Sequence, residues 1–133
     1  MAVADGAGLP VSVSIASASP NEVTLVDAAL DALVTEEEPA RLIGDRAYDR
    51  DGLDARLRQE RQIEMIAPHR GGRRKTQDGR PLRRCRRRWK IERLFAWLHN
   101  FRPLVTRYEY HAENFLAFVQ LGCIMILLRA FVR

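Results

Sequence analysis

Half of the 24 residues from Arg70 to Arg93 are arginine or lysine, and Asp78 and Glu92 are the only acids among them. So dense a run of cations cannot be buried on all sides. Like charges one helical turn apart also repel. The stretch can fold only as a loop, or as a helix with one apolar stripe turned inward. From Met1 to His69 there are 6 basic and 13 acidic residues, and from Arg70 to Arg133 there are 16 basic and 4 acidic. An acidic half joined to a strongly basic half points to a polyanionic partner, most often nucleic acid. A solvated helix face is the alternative, and the charge pattern alone does not choose between them.

The spacing predicts a helix from about Pro81 to Phe101, ended by Pro103. At roughly 100° per residue, with Cys85 at about 0°, Arg88 falls near about −60°, Glu92 near about −20° and His99 near about −40°. Ile91, Leu94, Leu98 and Phe101 fall on the opposite side, which is the predicted buried stripe. Glu92 stands alone among Arg84, Arg86, Arg87, Arg88, Lys90 and Arg93. Two readings stay open for it: a surface ion pair with Arg88 at i−4, or a carboxylate kept in a cationic field to hold a metal ion beside a phosphodiester.

The acidic half reads as an α/β pattern. Ala2 to Ala4, a turn-rich Asp-Gly-Ala-Gly-Leu-Pro, and alternating Val11, Val13 and Ile15 predict a β-hairpin. Ser19, Pro20 and Glu22 resemble a helix opening with Ser19 as its cap, and Leu25, Ala28, Ala29, Leu30 and Leu33 continue at helical spacing. Arg41 to Asp45 predicts a short strand ending on an acid. Gly52 to Arg61 predicts a helix, and Ile63 to Ala67 another strand. Asp45 therefore sits at the carboxyl end of a strand, where ligands gather in open α/β sheets, although a lone carboxylate there more often merely caps the following turn.

Several classes are excluded. Two distant cysteines cannot build a disulfide scaffold or a four-cysteine zinc site, and the three histidines are too scattered for zinc. Gly71-Gly72-Arg73-Arg74-Lys75 lacks the glycine spacing of a phosphate-binding loop. The N-terminus has no secretory pattern, which predicts an intracellular, cytoplasmic protein. Phe115 to Leu128 is 14 residues long, short of the roughly 20 that span a bilayer. It is expected to be a buried core helix, and a membrane-associated reading rests on this run alone.

Gly44-Asp45-Arg46-Ala47-Tyr48-Asp49, Ile66-Ala67-Pro68, the run from Arg87 to Leu98, Phe101-Arg102, Arg107-Tyr108-Glu109 and the run from Asn114 to Val119 together resemble the DDE transposases of bacterial insertion sequences. The resemblance covers essentially the whole chain. It implies an incomplete RNase H-like α/β fold (hairpin, helix, strand, helix, strand) followed by two long C-terminal helices. It also implies a single partial catalytic domain over 1–133, with an acidic α/β part at 1–69 and a basic helical part at 70–133.

In that family two aspartates and a glutamate hold divalent cations, Mg²⁺ being expected, for DNA strand cleavage and transfer. Asp45 matches the second aspartate and Glu92 the glutamate, so both are implied as catalytic and metal-binding residues. The family's helix signature of Tyr, Arg, Glu and Lys reads here as Cys85, Arg88, Glu92 and His99. The implied DNA contacts are Arg73, Arg74, Lys75, Arg83, Arg84, Arg87, Arg88, Lys90 and His99. The first aspartate of the family lies on a central strand before the hairpin, and Asp5 does not match it. The chain is thus expected to be the C-terminal portion of a transposase, inert until an upstream segment or full-length transposase supplies that strand. A non-catalytic DNA-binding or transposase-inhibiting fragment is the alternative.

Overall fold

A computed structural model describes residues 1–72 and 83–132. The hairpin forms as the alternation predicts: β1 (Ala2–Ala4) pairs antiparallel with β2 (Pro10–Val13), Val3 facing Ser12 and Ala2 facing Val13. Its turn is organised by Asp5, whose Oδ1 accepts the Ala7 and Leu9 amides, each at 2.8 Å. Gly8 supplies the left-handed backbone that the turn requires, at φ +87°.

The helical opening begins two residues later than expected. Asn21, not Ser19, caps it by accepting the Val23 amide at 3.2 Å, and a 3₁₀ turn at Glu22–Leu25 leads into α1 (Val26–Asp31). The asparagine carboxamide oxygen takes up an N–H of the first turn that has no partner within the helix. Buried Ser12 donates its hydroxyl to the Ala29 carbonyl at 2.6 Å, and the Val34 amide bonds the Val11 carbonyl at 2.9 Å. These two bonds seat α1 against the hairpin. Arg61 then answers the acids of this half, meeting Asp27 at 3.7 Å and pairing also with Asp31 and Glu38.

β3 (Arg41–Ile43), α2 (Asp51–Glu60) and β4 (Glu64–Ile66) form one parallel crossover unit, with Leu42 opposite Met65 and Ile43 opposite Ile66. Leu53 and Leu57 of α2 pack with Val26, Leu30 and Ile63 into a first core, flanked by Leu42, Tyr48 and Met65. Met1 and Ser14 exchange backbone bonds at 2.7 and 2.9 Å, so antiparallel alternation turns the Ala2 amide and carbonyl to the outer edge of β1. The Ala40 carbonyl and Gly44 amide bond toward β4, which leaves Arg41 and Ile43 facing the other edge of β3. The described strands make two separate two-stranded sheets.

The basic half forms helices, but not the single long one that the spacing predicts. Residues 83–85 are helical, Arg86–Arg88 tighten into a 3₁₀ turn, and α3 runs over Trp89–Leu98. No residue of that turn is buried, so no packing holds the arginines in α-helical register. Pro103 does not merely end a helix: it lies in the first turn of a short α4 (Arg102–Val105). α5 (Ala112–Phe131) follows.

Leu94 and Leu98 of α3 pack with Cys123 and Ile126 of α5 into a second core, bordered by Ile91, Phe101 and the hairpin residues Ala2, Ala4, Leu9 and Val13. The predicted apolar stripe of α3 is thus the buried one. α5, expected as a buried core helix, buries only Gly122, Cys123 and Ile126 and leaves Leu121, Ile124 and Leu128 about half exposed. It meets α3, α4 and the hairpin along one narrow stripe. At 20 residues it is long and apolar enough to cross a membrane by length and composition alone.

α3 is fastened to the hairpin tip by its own cations. Arg93 lies between the indoles of Trp89 and Trp97, at 4.7 and 4.6 Å from their centroids, and donates from Nη2 to the Ala7 carbonyl at 2.8 Å. Lys90 donates to the Gly6 carbonyl. Spacing of four residues on either side puts both rings on one helix face with Arg93, which is what a doubled cation–π contact needs.

Two outcomes follow from the packing around β3. A Cβ on Gly44 would collide with the Met65 methyl and meet the Tyr48 ring at 2.8 Å. Gly44→Ala should therefore lower stability by about 1–3 kcal/mol, read as a reduced urea midpoint at unchanged m-value. Half-buried Tyr48 has its phenol pushed up to about 12, by burial first and then by the Glu22 and Asp45 carboxylates. The folded protein keeps that proton after the unfolded chain has lost it, so stability is full below pH 10 and falls as pH rises toward about 12. Absorbance at 295 nm should show Tyr48 ionising there, and Asp45→Asn should move it down.

Candidate active site

β3 delivers Asp45 to the carboxyl end of the parallel pair. The residue is partly exposed and caps a 3₁₀ turn at Arg46–Tyr48. Its Oδ1 accepts the Ala47 amide at 2.7 Å, and its main-chain carbonyl accepts the Tyr48 amide at 3.2 Å. The capping reading of Asp45 is thus realised. One carboxylate oxygen is anchored and the side chain still reaches solvent, so capping does not remove it from chemistry.

Four residues on, Asp49 is far more buried, with 7% of its side chain exposed. Its Oδ2 accepts the Arg70 amide at 2.7 Å, and its Oδ1 lies 3.1 Å from His69 Nδ1. A carboxylate this deep is tolerated because both oxygens are engaged. Arg70 turns its guanidinium back over the turn that follows β3, donating from Nε to the Arg46 carbonyl and from Nη2 to the Ala47 carbonyl, both at 2.9 Å. The loops following β3 and β4 are clasped together beside Asp45.

Sequence reasoning missed this clasp, having weighed His69 only as a zinc ligand too far from the other histidines. The available signal was position: the Tyr48-Asp49 and His69-Arg70 pairs each lie just past the end of one of two adjacent strands.

Glu92 occupies the first turn of α3 and is exposed. Among the described residues it makes no ion pair, so the i−4 pairing with Arg88 does not form. A carboxylate in the first turn is favoured by the helix dipole without any partner. Among the described residues, no group of three His, Cys, Asp or Glu forms that could hold a metal ion. Asp45 borders the first core and Glu92 rides on the helix of the second, and no described hydrogen bond links them.

Of the residues implied as DNA contacts, Arg73, Arg74 and Lys75 lie outside the described residues. Arg83 and Arg87 are exposed, Arg84 and Arg88 half-buried, and none of the four has an acidic partner among the described residues. Lys90 is engaged at the hairpin tip. His99 is exposed just past the last turn of α3. The 3₁₀ turn winds about 120° per residue, so Cys85 and Arg88 do not keep the uniform stripe that a continuous helix would give them.

The model of the transposase DDE domain family matches residues 1–128. The chain is also 33% identical to a Burkholderia cepacia protein assigned to insertion sequence element IS402 as a transposase, the match covering 93% of this chain and 59% of that protein. The chain thus spans about three-fifths of the length of this curated relative. No solved structure matches. With the Gly44–Asp49 turn and the Glu92 helix both inside the matched range, the chain belongs to the DDE-type insertion-sequence transposases.

Proposed function

We propose that this chain serves DNA transposition, supplying the second and third catalytic carboxylates, Asp45 and Glu92, of an RNase H-like strand-transfer site. The observation that carries the reading is Glu92: an exposed acid that has no ion-pair partner among the described residues, on a helix entered through arginines that likewise meet no acid among them, in a chain of the DDE family.

The two acids do not by themselves make a metal centre. Oxygen donors suit Mg²⁺, but the described residues bring no third ligand to either acid. The reading instead gives the open edges of β1 and β3 a partner, a central strand carrying the first aspartate from outside these 133 residues. Such a strand would satisfy the backbone groups of Ala2, Arg41 and Ile43 and join the two small sheets into one. Residues 1–69 and 70–133 then act as the α/β and helical parts of one domain.

Arg83, Arg84, Arg87 and Arg88, with Arg73, Arg74 and Lys75, would bind the DNA backbone, and His99 would extend that surface. The partners on this reading are transposon ends and target DNA in the bacterial cytoplasm. A non-catalytic role, occupying DNA or inhibiting a full-length transposase, is favoured by the same absence of a three-acid cluster among the described residues.

Strand cleavage of transposon-end DNA in Mg²⁺ separates the two. The chain alone should be inert, and an upstream segment with its strand and aspartate should restore cleavage that Asp45→Asn or Glu92→Gln abolishes. Robust cleavage by the 133-residue chain alone would refute the split-site reading. Failure of every upstream segment to restore it favours the binding role. DNA affinity should fall steeply with salt, and Arg83→Gln with Arg87→Gln should lower both affinity and the slope of log K against log salt, by about 0.9 per lost phosphate contact.

A further inference from the structure

Arg70 looks at first like the opening residue of the basic stretch, one more cation for phosphate. Its bonds say otherwise. The Arg46–Ala47 peptide is held at both ends: Arg70 Nε donates to its carbonyl at 2.9 Å, and its N–H donates to Asp45 Oδ1 at 2.7 Å. The next peptide repeats the pattern. Arg70 Nη2 donates to the Ala47 carbonyl at 2.9 Å, and the Tyr48 N–H returns to the Asp45 carbonyl at 3.2 Å. One guanidinium fork therefore grips two successive peptides whose N–H groups both close onto Asp45. A cation on an amide oxygen polarises the amide and strengthens the bond its N–H gives.

We propose that Arg70, seated by the buried carboxylate of Asp49, is the positioning residue for the Asp45 carboxylate. Asp49 fixes the Arg70 main chain through the Oδ2 bond at 2.7 Å, and His69 closes the other oxygen at 3.1 Å. The fork geometry is specific to arginine, since a lysine ammonium is a point donor that cannot reproduce two fixed parallel bonds. The clasp holds the turn from the β4 side, while β3 sets where the turn begins. Asp45 thereby presents its carboxylate from a fixed peptide platform and not from a free loop. The function of that platform rests on the reading of Asp45 as a catalytic acid; its existence does not.

Amide hydrogen exchange of the full 133-residue chain, without metal, tests the clasp. Arg70→Ala should speed exchange at Ala47 and Tyr48 by about tenfold, the scale of losing a charge-assisted bond, with Leu57 and Leu94 unchanged. Arg70→Lys should not restore protection, and methylguanidinium added to the Arg70→Ala chain should restore part of it. With an upstream segment restoring cleavage, Arg70→Ala should lower kcat about tenfold at constant KM for DNA. Unchanged exchange at Ala47, or a raised KM with kcat intact, would overturn the proposal and make Arg70 a phosphate contact. If Asp45→Asn leaves cleavage intact while the exchange result holds, the catalytic reading of Asp45 fails and the clasp stands.

Discussion

The parallel pairing of β3 with β4 is the constraint on which the acidic half depends. Three residue pairs suffice because α2 covers them, with Leu57 and Ile63 almost fully removed from water. Truncating a leucine in such a place costs about 2–5 kcal/mol, a large share of the stability of a domain this small. The pairing also brings two chain segments 20 or more residues apart in sequence to the same edge, where their loops can clasp. Asp45, Asp49, His69 and Arg70 are neighbours only because those two strands run the same way.

Charge is handled differently in the two halves. In the acidic half, Arg61 meets three acids and joins α1, the segment after it and the end of α2. In the basic half acids are too few for that solution. Arg93 is accepted by two indoles and a carbonyl, Lys90 by a carbonyl, and Arg70 by two carbonyls. Neutral partners hold these cations without cancelling their charge. The surface around Glu92 therefore keeps a net positive charge, which suits the proposed DNA-binding role.

Much of the fold was legible from apolar periodicity. The hairpin, α2, both parallel strands, the buried stripe of α3 and the helical character of the Phe115–Leu128 run follow from the spacing of the apolar residues. What periodicity could not show were changes of winding and degree of covering. The 3₁₀ turn at Arg86–Arg88 has no apolar residue to report its pitch. Pro103, read as a stop, opens α4, since proline fits a first helical turn as well as it ends a helix. α5 reads the same in sequence whether one face or all faces are packed, so only the structure distinguishes them. Asp45 and Glu92 were singled out as candidates by motif and by position on their elements. The clasp at Asp49 and Arg70 was not, because main-chain carbonyl acceptors leave no trace in a sequence.

Among the described residues, the two cores are joined by the hydrogen bonds of Ser12 to Ala29 and Val34 to Val11. Asp45 is carried by one core and Glu92 by the other, so their separation is a property of that joint and not of either core. Within each half the acid is firmly held: Asp45 by its two peptides, and Glu92 by a helix pinned through Lys90 and Arg93 to the hairpin tip. On the proposed reading, a strand inserted between β1 and β3 would bond both free edges and replace a joint of two hydrogen bonds with a continuous ladder. The same insertion that brought the missing carboxylate would then fix the distance between the two already present. Ligand supply and site geometry would be completed in one folding event, and neither half would need a rigid interface beforehand.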